Sequence, residues 1–167
     1  MTKPMKSNSA TRRFSDSSVL SVCFFLSGFA SLAYQLIWTR LAYARFGVNA
    51  QVLSVVISVF MLGLLLGAIL GAPLARWARK RGCSSLATYA MTEIFIGIGA
   101  AAVPWLFALG QKVLLSGGAM DSLPYSFFSA LTLTLSILPF CTAMGMTYPL
   151  VMTHLQETSD PQERETS

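Results

Sequence analysis

Four long runs of apolar positions divide the chain, each bounded by polar or turn-forming residues. They fall at residues 19–38, 52–75, 86–109 and 127–152, and the third can be extended to Leu115. An apolar stretch of about 20 residues crosses the hydrocarbon core of a bilayer as a helix. The pattern therefore predicts an all-α integral membrane protein with four transmembrane helices. Nothing outside these runs is long enough to build a soluble domain with its own core. The predicted organisation is a basic tail (1–17), a four-helix membrane domain (18–153) and an acidic tail (154–167). Residues 116–126, with Gly117-Gly118 and Pro124, read as a turn-rich loop between the third and fourth spans.

Composition agrees with this reading. Hydrophobic residues make up 54% of the 167 residues and charged residues only 11%, against about 25% charged in soluble domains. Lys3, Lys6, Arg12 and Arg13 sit in the N-terminal tail, and Arg76, Arg79, Lys80 and Arg81 follow the second span. These are eight of the twelve Lys and Arg residues. Two crossings separate the clusters, so both can lie on the cytoplasmic side, with the acidic C-terminus returning there. Arg40, Arg45 and Lys112 then face the opposite side. The net charge of +5 is thereby explained by membrane orientation, and no nucleic-acid partner is expected. Trp38, Trp77 and Trp105 lie near span ends, where indoles favour the interface. Ser31-Leu32-Ala33 could serve as a signal-peptide cleavage site, but the apolar run continues to Trp38, so helix 1 is expected to be retained.

Gly63, Gly67 and Gly71 stack on one helical face and allow another backbone to approach closely. Ala90, Glu93, Gly97 and Ala101 form a stripe on the third helix, and Gly28, Ser31 and Gln35 one on the first. The three faces predict a compact bundle. Pro139 and Pro149 predict kinks in the fourth helix, either purely structural or lining a cavity, with Thr142, Gly145 and Thr147 compensating.

Glu93 is the one acidic residue inside a span. A carboxylate in hydrocarbon costs at least about 2.5 kcal/mol on insertion scales, so it should be neutral or paired. It is either a proton or cation site or a structural hydrogen-bonding residue. Tyr34, Gln35, Trp38 and Arg40 gather at the end of the first span, as a ligand- or partner-facing cluster or as an interfacial anchor.

The stretch GIGAAA (97–102) fits a dinucleotide fingerprint by letter but lies inside an apolar span, where the required strand and turn are absent. Cys23, Cys83 and Cys141 read as small apolar fillers rather than a metal or disulfide framework. His154 reads as a polar interface residue. No nucleophile elbow, carboxylate pair or phosphate loop is present, so neither catalysis nor a cofactor or metal is expected.

The run FFLSGFASLAYQLIWTRL (24–41) resembles the first helix of membrane proteins fused to spermidine-synthase-like domains. Gly28, Leu32, Tyr34, Gln35, Trp38, Arg40 and Leu41 fill that family's G-x-x-x-L-x-Y-[EQ]-x-x-W-x-R-L pattern. FMLGLLLGAILGAPLAR, YAMTEIFIGIGA and LPFCTAMGMTYPLV resemble its second, third and fourth helices, with Glu93 matching a recurrent glutamate. Ala75 departs from the family, which has Asp before the arginine at Arg76. The resemblance implies a bacterial inner-membrane protein whose helices resemble part of a major-facilitator half. The aminopropyltransferase-like domain is not among these residues, so aminopropyl transfer is not expected. The expected role is a non-catalytic membrane subunit or module, working in a larger complex or as a homo-oligomer. The alternative is a small oligomeric proton-coupled transporter of organic cations or polyamines using Glu93.

Overall fold

Among the described residues four helices form, in the order α1 (Ser7–Phe46), α2 (Ala50–Lys80), α3 (Ser85–Ser116) and α4 (Ser122–Ser159). The computed structural model describes the backbone of residues 7–116 and 122–159, and the side chains of 19–116 and 123–156. The basic N-terminal residues Lys3, Lys6, Arg12 and Arg13, the Gly117-Gly118 pair and the acidic side chains from Glu157 onward lie outside the described side chains. All four helices are long and apolar enough to cross a membrane. The protein is an all-α, four-helix membrane bundle.

Each helix outruns its apolar run, because local chemistry rather than hydropathy sets the ends. α1 continues eight residues past Trp38 and stops at Gly47, whose φ of 96° leaves the helical region. Asn49 then caps α2, its side chain accepting from the Val52 amide at 2.8 Å. Only Gly47, Val48 and Asn49 join α1 to α2. α2 runs through Arg76, Arg79 and Lys80, so the basic cluster occupies its last turns rather than a loop. It ends in a Schellman motif: Gly82 (φ 82°) donates to the Arg79 carbonyl and Cys83 to that of Ala78, both at 3.0 Å. Ser84 then caps α3 by accepting from the Ala87 amide at 3.1 Å. Pro124 falls in the first turn of α4, where its missing amide costs no hydrogen bond. Residues 122–126, expected in the loop, belong to α4 instead.

α2 and α4 run parallel and meet backbone to backbone. A Cβ on Gly63 would strike Cys141, one on Gly67 would strike the Thr142 carbonyl and Gly145, and one on Gly71 would strike Pro149. A Cβ on Gly145 would in turn strike the backbone of Leu64. All three α2 glycines are buried. Lipid supplies no hydrophobic drive between helices, so this close packing is the main attraction available. On α4, Thr142 donates to the Leu138 carbonyl and Thr147 to that of Met144. Neither reaches the carbonyls of Leu135 and Gly145, from which Pro139 and Pro149 withhold a backbone donor.

The stripes expected on α3 and α1 do not pack as predicted. Gly97 is exposed and a Cβ there would meet nothing within 4 Å. Ala90 and Ala101 are also exposed. α3 instead buries Tyr89, Thr92, Ile96, Gly99, Val103 and Phe107, with Gly99 under the Phe140 ring. The two faces lie a fraction of a turn apart, and a helix apolar all round gives no signal to choose between them. On α1, Gly28 also faces open space. Only 6% of α1's most apolar window is buried, against 44% for α4. The bundle is thus a three-helix group, α3 packed on the α2–α4 pair, with α1 attached more loosely.

Gly67→Ala should lower stability in detergent by about 1–3 kcal/mol, since backbone atoms cannot yield to the added methyl. Gly97→Ala and Gly28→Ala should be neutral or stabilising. Thermal or SDS unfolding of the three variants measures this ordering.

Candidate functional site

α1 touches the bundle near both ends and stands away from α2 and α4 between them. At the hairpin end, where α1 turns into α2, Trp38, Ala42 and Phe46 are buried in the main core. Phe46 meets Phe107 edge-on at 5.9 Å, and the Arg45 guanidinium donates to Gln111 Oε1 at 3.1 Å. At the opposite end, where α2 finishes in its basic cluster, Leu20 joins Ala75, Tyr89, Leu150 and Val151 in a second core, with Phe24 packed against it. Phe24 and Tyr148 rings lie 6.2 Å apart.

Between these attachments a groove of about 910 Å³ opens on the α2–α4 side of α1. Phe24, Phe25, Phe29, Leu32, Phe60, Leu64 and Met144 supply its apolar walls, and Gly28 lies within it. Among the described residues its polar lining consists of Ser21, Ser31, Thr147 and Tyr148, and no charged side chain contributes. A smaller hollow of about 30 Å³ lies near the hairpin end, lined by Asn49, Gln51, Tyr125 and Ser129 among others. Ser129 Oγ is buried there without a hydrogen-bond partner. That volume holds no more than a water-sized molecule.

Glu93 lies on α3, half-buried, with Oε1 shielded from solvent and lacking a hydrogen-bond partner. Four residues earlier on the same helix, the buried Tyr89 side chain lies against the Glu93 carboxyl group and the Ser27 hydroxyl of α1, with Cys23 close by. The carboxyl group is therefore held at the α1–α3 contact and does not line the groove. Sequence reasoning found Glu93 but missed Tyr89 and Ser27. The four-residue spacing of Tyr89 and Glu93 is the signal that was available.

The cluster at the end of the first apolar run resolves differently for each member. Trp38 is 1% exposed and sits in the core. This corrects its expected placement at the interface: the ring is packed inside the bundle. Its ring stacks on Tyr34 at 5.6 Å and tilts against Phe140 at 6.4 Å, and Phe140 stacks on Phe95 at 5.1 Å. Tyr34 and Gln35 are half-buried, and the Gln35 carbonyl accepts from Thr39 Oγ1. Arg40 is exposed. Trp77 is exposed with the Arg81 guanidinium 4.0 Å above its ring, and Trp105 is exposed too. Cys141 is the buried filler expected, but Cys23 and Cys83 are exposed, and all three are free thiols. His154 is half-buried near the end of α4.

No protein-family model, curated protein or solved structure matches this chain.

Trp38→Ala should cost about 3–5 kcal/mol, as for other buried aromatic truncations, and release the hairpin half of α1. Arg40→Ala should leave the fold unchanged. Cysteine accessibility along α1 in membranes, combined with unfolding in detergent, distinguishes the two.

Proposed function

We propose that the chain is a non-catalytic, multi-pass membrane module that assembles with a protein partner through α3. The observation that carries this reading is the outward stripe of Ala90, Gly97 and Ala101, exposed and with open space above Gly97. Stripes of small residues let transmembrane helices approach closely, and packing is what holds helices together in lipid. Within the chain α3 spends its other face on α4 and leaves this one uncovered. Glu93 lies beside the stripe with its carboxyl group at the α1–α3 contact, so a partner packed on α3 would adjoin a polar group that lipid disfavours. The resemblance to helices that elsewhere form part of a larger membrane protein supports the same reading. We place the module in a bacterial inner membrane with both termini cytoplasmic, following the positive-inside distribution of Lys and Arg.

A second reading rests on Glu93 alone: a small oligomeric transporter that exchanges protons for organic cations or polyamines. The shielded carboxyl oxygen favours it. The absence of any charged side chain from the groove lining weighs against a cation passing there.

Gentle solubilisation of the native membrane should recover the protein with a fixed larger partner, and Gly97→Leu should abolish that association. Because a Cβ at this exposed position meets nothing within 4 Å, the variant should remain folded. Recovery of an unpartnered protein whose behaviour Gly97→Leu leaves unchanged would overturn the module reading. Proton-driven uptake of an organic cation into liposomes by the isolated protein, lost in Glu93→Gln, would establish the transporter instead.

A further inference from the structure

We infer that the groove between α1 and the α2–α4 pair binds one acyl chain of a phospholipid from the leaflet at the basic end of the bundle. The inference is independent of the α3 partner, since the groove lies on other helices.

Length is the first argument. From Ser21 to Leu32, the groove follows α1 for about 16 Å at the helical rise per residue. That is close to half of the roughly 30 Å hydrocarbon core, or one leaflet. The groove occupies the half of α1 nearer the basic end. It is closed in the other half, where Trp38, Ala42 and Phe46 dock into the core. A partner helix crossing both leaflets could not lie along it without displacing those residues. A chain reaching to mid-bilayer fits without disturbing them.

Chemistry is the second argument. The walls are aromatic and aliphatic, and the serine and threonine hydroxyls among them already have partners. Ser31 donates to the Ser27 carbonyl at 3.0 Å and Thr147 to that of Met144 at 2.7 Å. Ser21 also has a partner. With no charged group among the described lining residues, the groove offers little to a sugar, nucleotide or cation and much to hydrocarbon. Its volume of about 910 Å³ falls within the range of pockets that enclose single ligands, about 300–1,000 Å³. Gly28 supplies the space: a Cβ there would meet nothing within 4 Å.

The test reconstitutes the full chain into vesicles containing a phosphatidylcholine with a diazirine midway along one acyl chain. After photolysis, adducts are mapped by peptide mass spectrometry. Label should concentrate on groove residues such as Phe25, Gly28, Ser31 and Met144, relative to Met61 and Ile69, which are exposed elsewhere on the bundle. Gly28→Leu adds bulk to the groove at a position where a Cβ meets no protein atom within 4 Å. With that space filled, groove labelling should fall to the level of Met61 and Ile69, because close packing rather than transfer from water is what would hold a chain there. Gly97→Leu, adding the same bulk outside the groove, should leave it unchanged. Equal labelling of groove and control residues, or groove labelling indifferent to Gly28→Leu, would overturn the assignment. So would groove residues that cross-link to a second copy of the chain instead of to lipid.

Discussion

The architecture depends on the approach of two backbones. α2 and α4 come together because Gly63, Gly67 and Gly71 remove every side chain from one line of contact, and Gly145 returns the concession from the other side. In water a bundle could rely on burying Leu and Phe. In lipid, where hydrocarbon surrounds the helices already, dispersion contacts at close range have to replace that drive. α3 then leans on α4 through Gly99 under Phe140 and Gly110 against the Thr132 side chain. α1 has no comparable face. It is held by large residues near its ends, and the difference in packing chemistry explains why a groove exists beside it.

The aromatic series Tyr34, Trp38, Phe140 and Phe95 crosses from α1 through α4 to α3 at successive separations of 5.6, 6.4 and 5.1 Å. It ties the loosely attached helix to the α3–α4 interface. The Glu93 contact acts elsewhere along the same pair, where Tyr89 and Ser27 bring α3 and α1 together. The two contacts differ in kind. One is a ring stack that lipid would tolerate if separated, whereas the other includes a carboxyl group that lipid would not. A partner that reorganised α3 would therefore act first on the polar contact.

Much of the architecture was legible in the sequence because hydropathy and length alone decide whether a helix can span a bilayer. The three glycines of α2 were legible for a related reason: nothing but close packing explains such spacing. The helix ends were also written there, in Gly47, Asn49, Gly82 and Ser84, although an apolar window passes over such signals. The packing face of α3 was not legible. Tyr89, Ile96 and Gly99 lie inward while Ala90, Gly97 and Ala101 lie outward, yet both sets are apolar at helical spacing. Trp38 misled because an indole at the end of an apolar run suits an interface as well as a core, and only the extension of α1 to Phe46 decides between them. Glu93 was conspicuous and Tyr89 was readable one turn earlier on the same helix, but Ser27 was not, since it meets Tyr89 across a tertiary contact.

The parallel pairing of α2 with α4 has a consequence for biogenesis. Gly67 and its counterpart Gly145 are separated by about 80 residues of chain. At a synthesis rate of roughly 5–20 residues per second, α4 emerges on the order of 4–16 s after α2. During that interval the glycine seam of α2 faces lipid with no matching surface. The α1–α2 hairpin, joined by its three-residue link, must persist in the membrane as an unfinished intermediate, open to any chaperone or neighbouring helix with a narrow enough face.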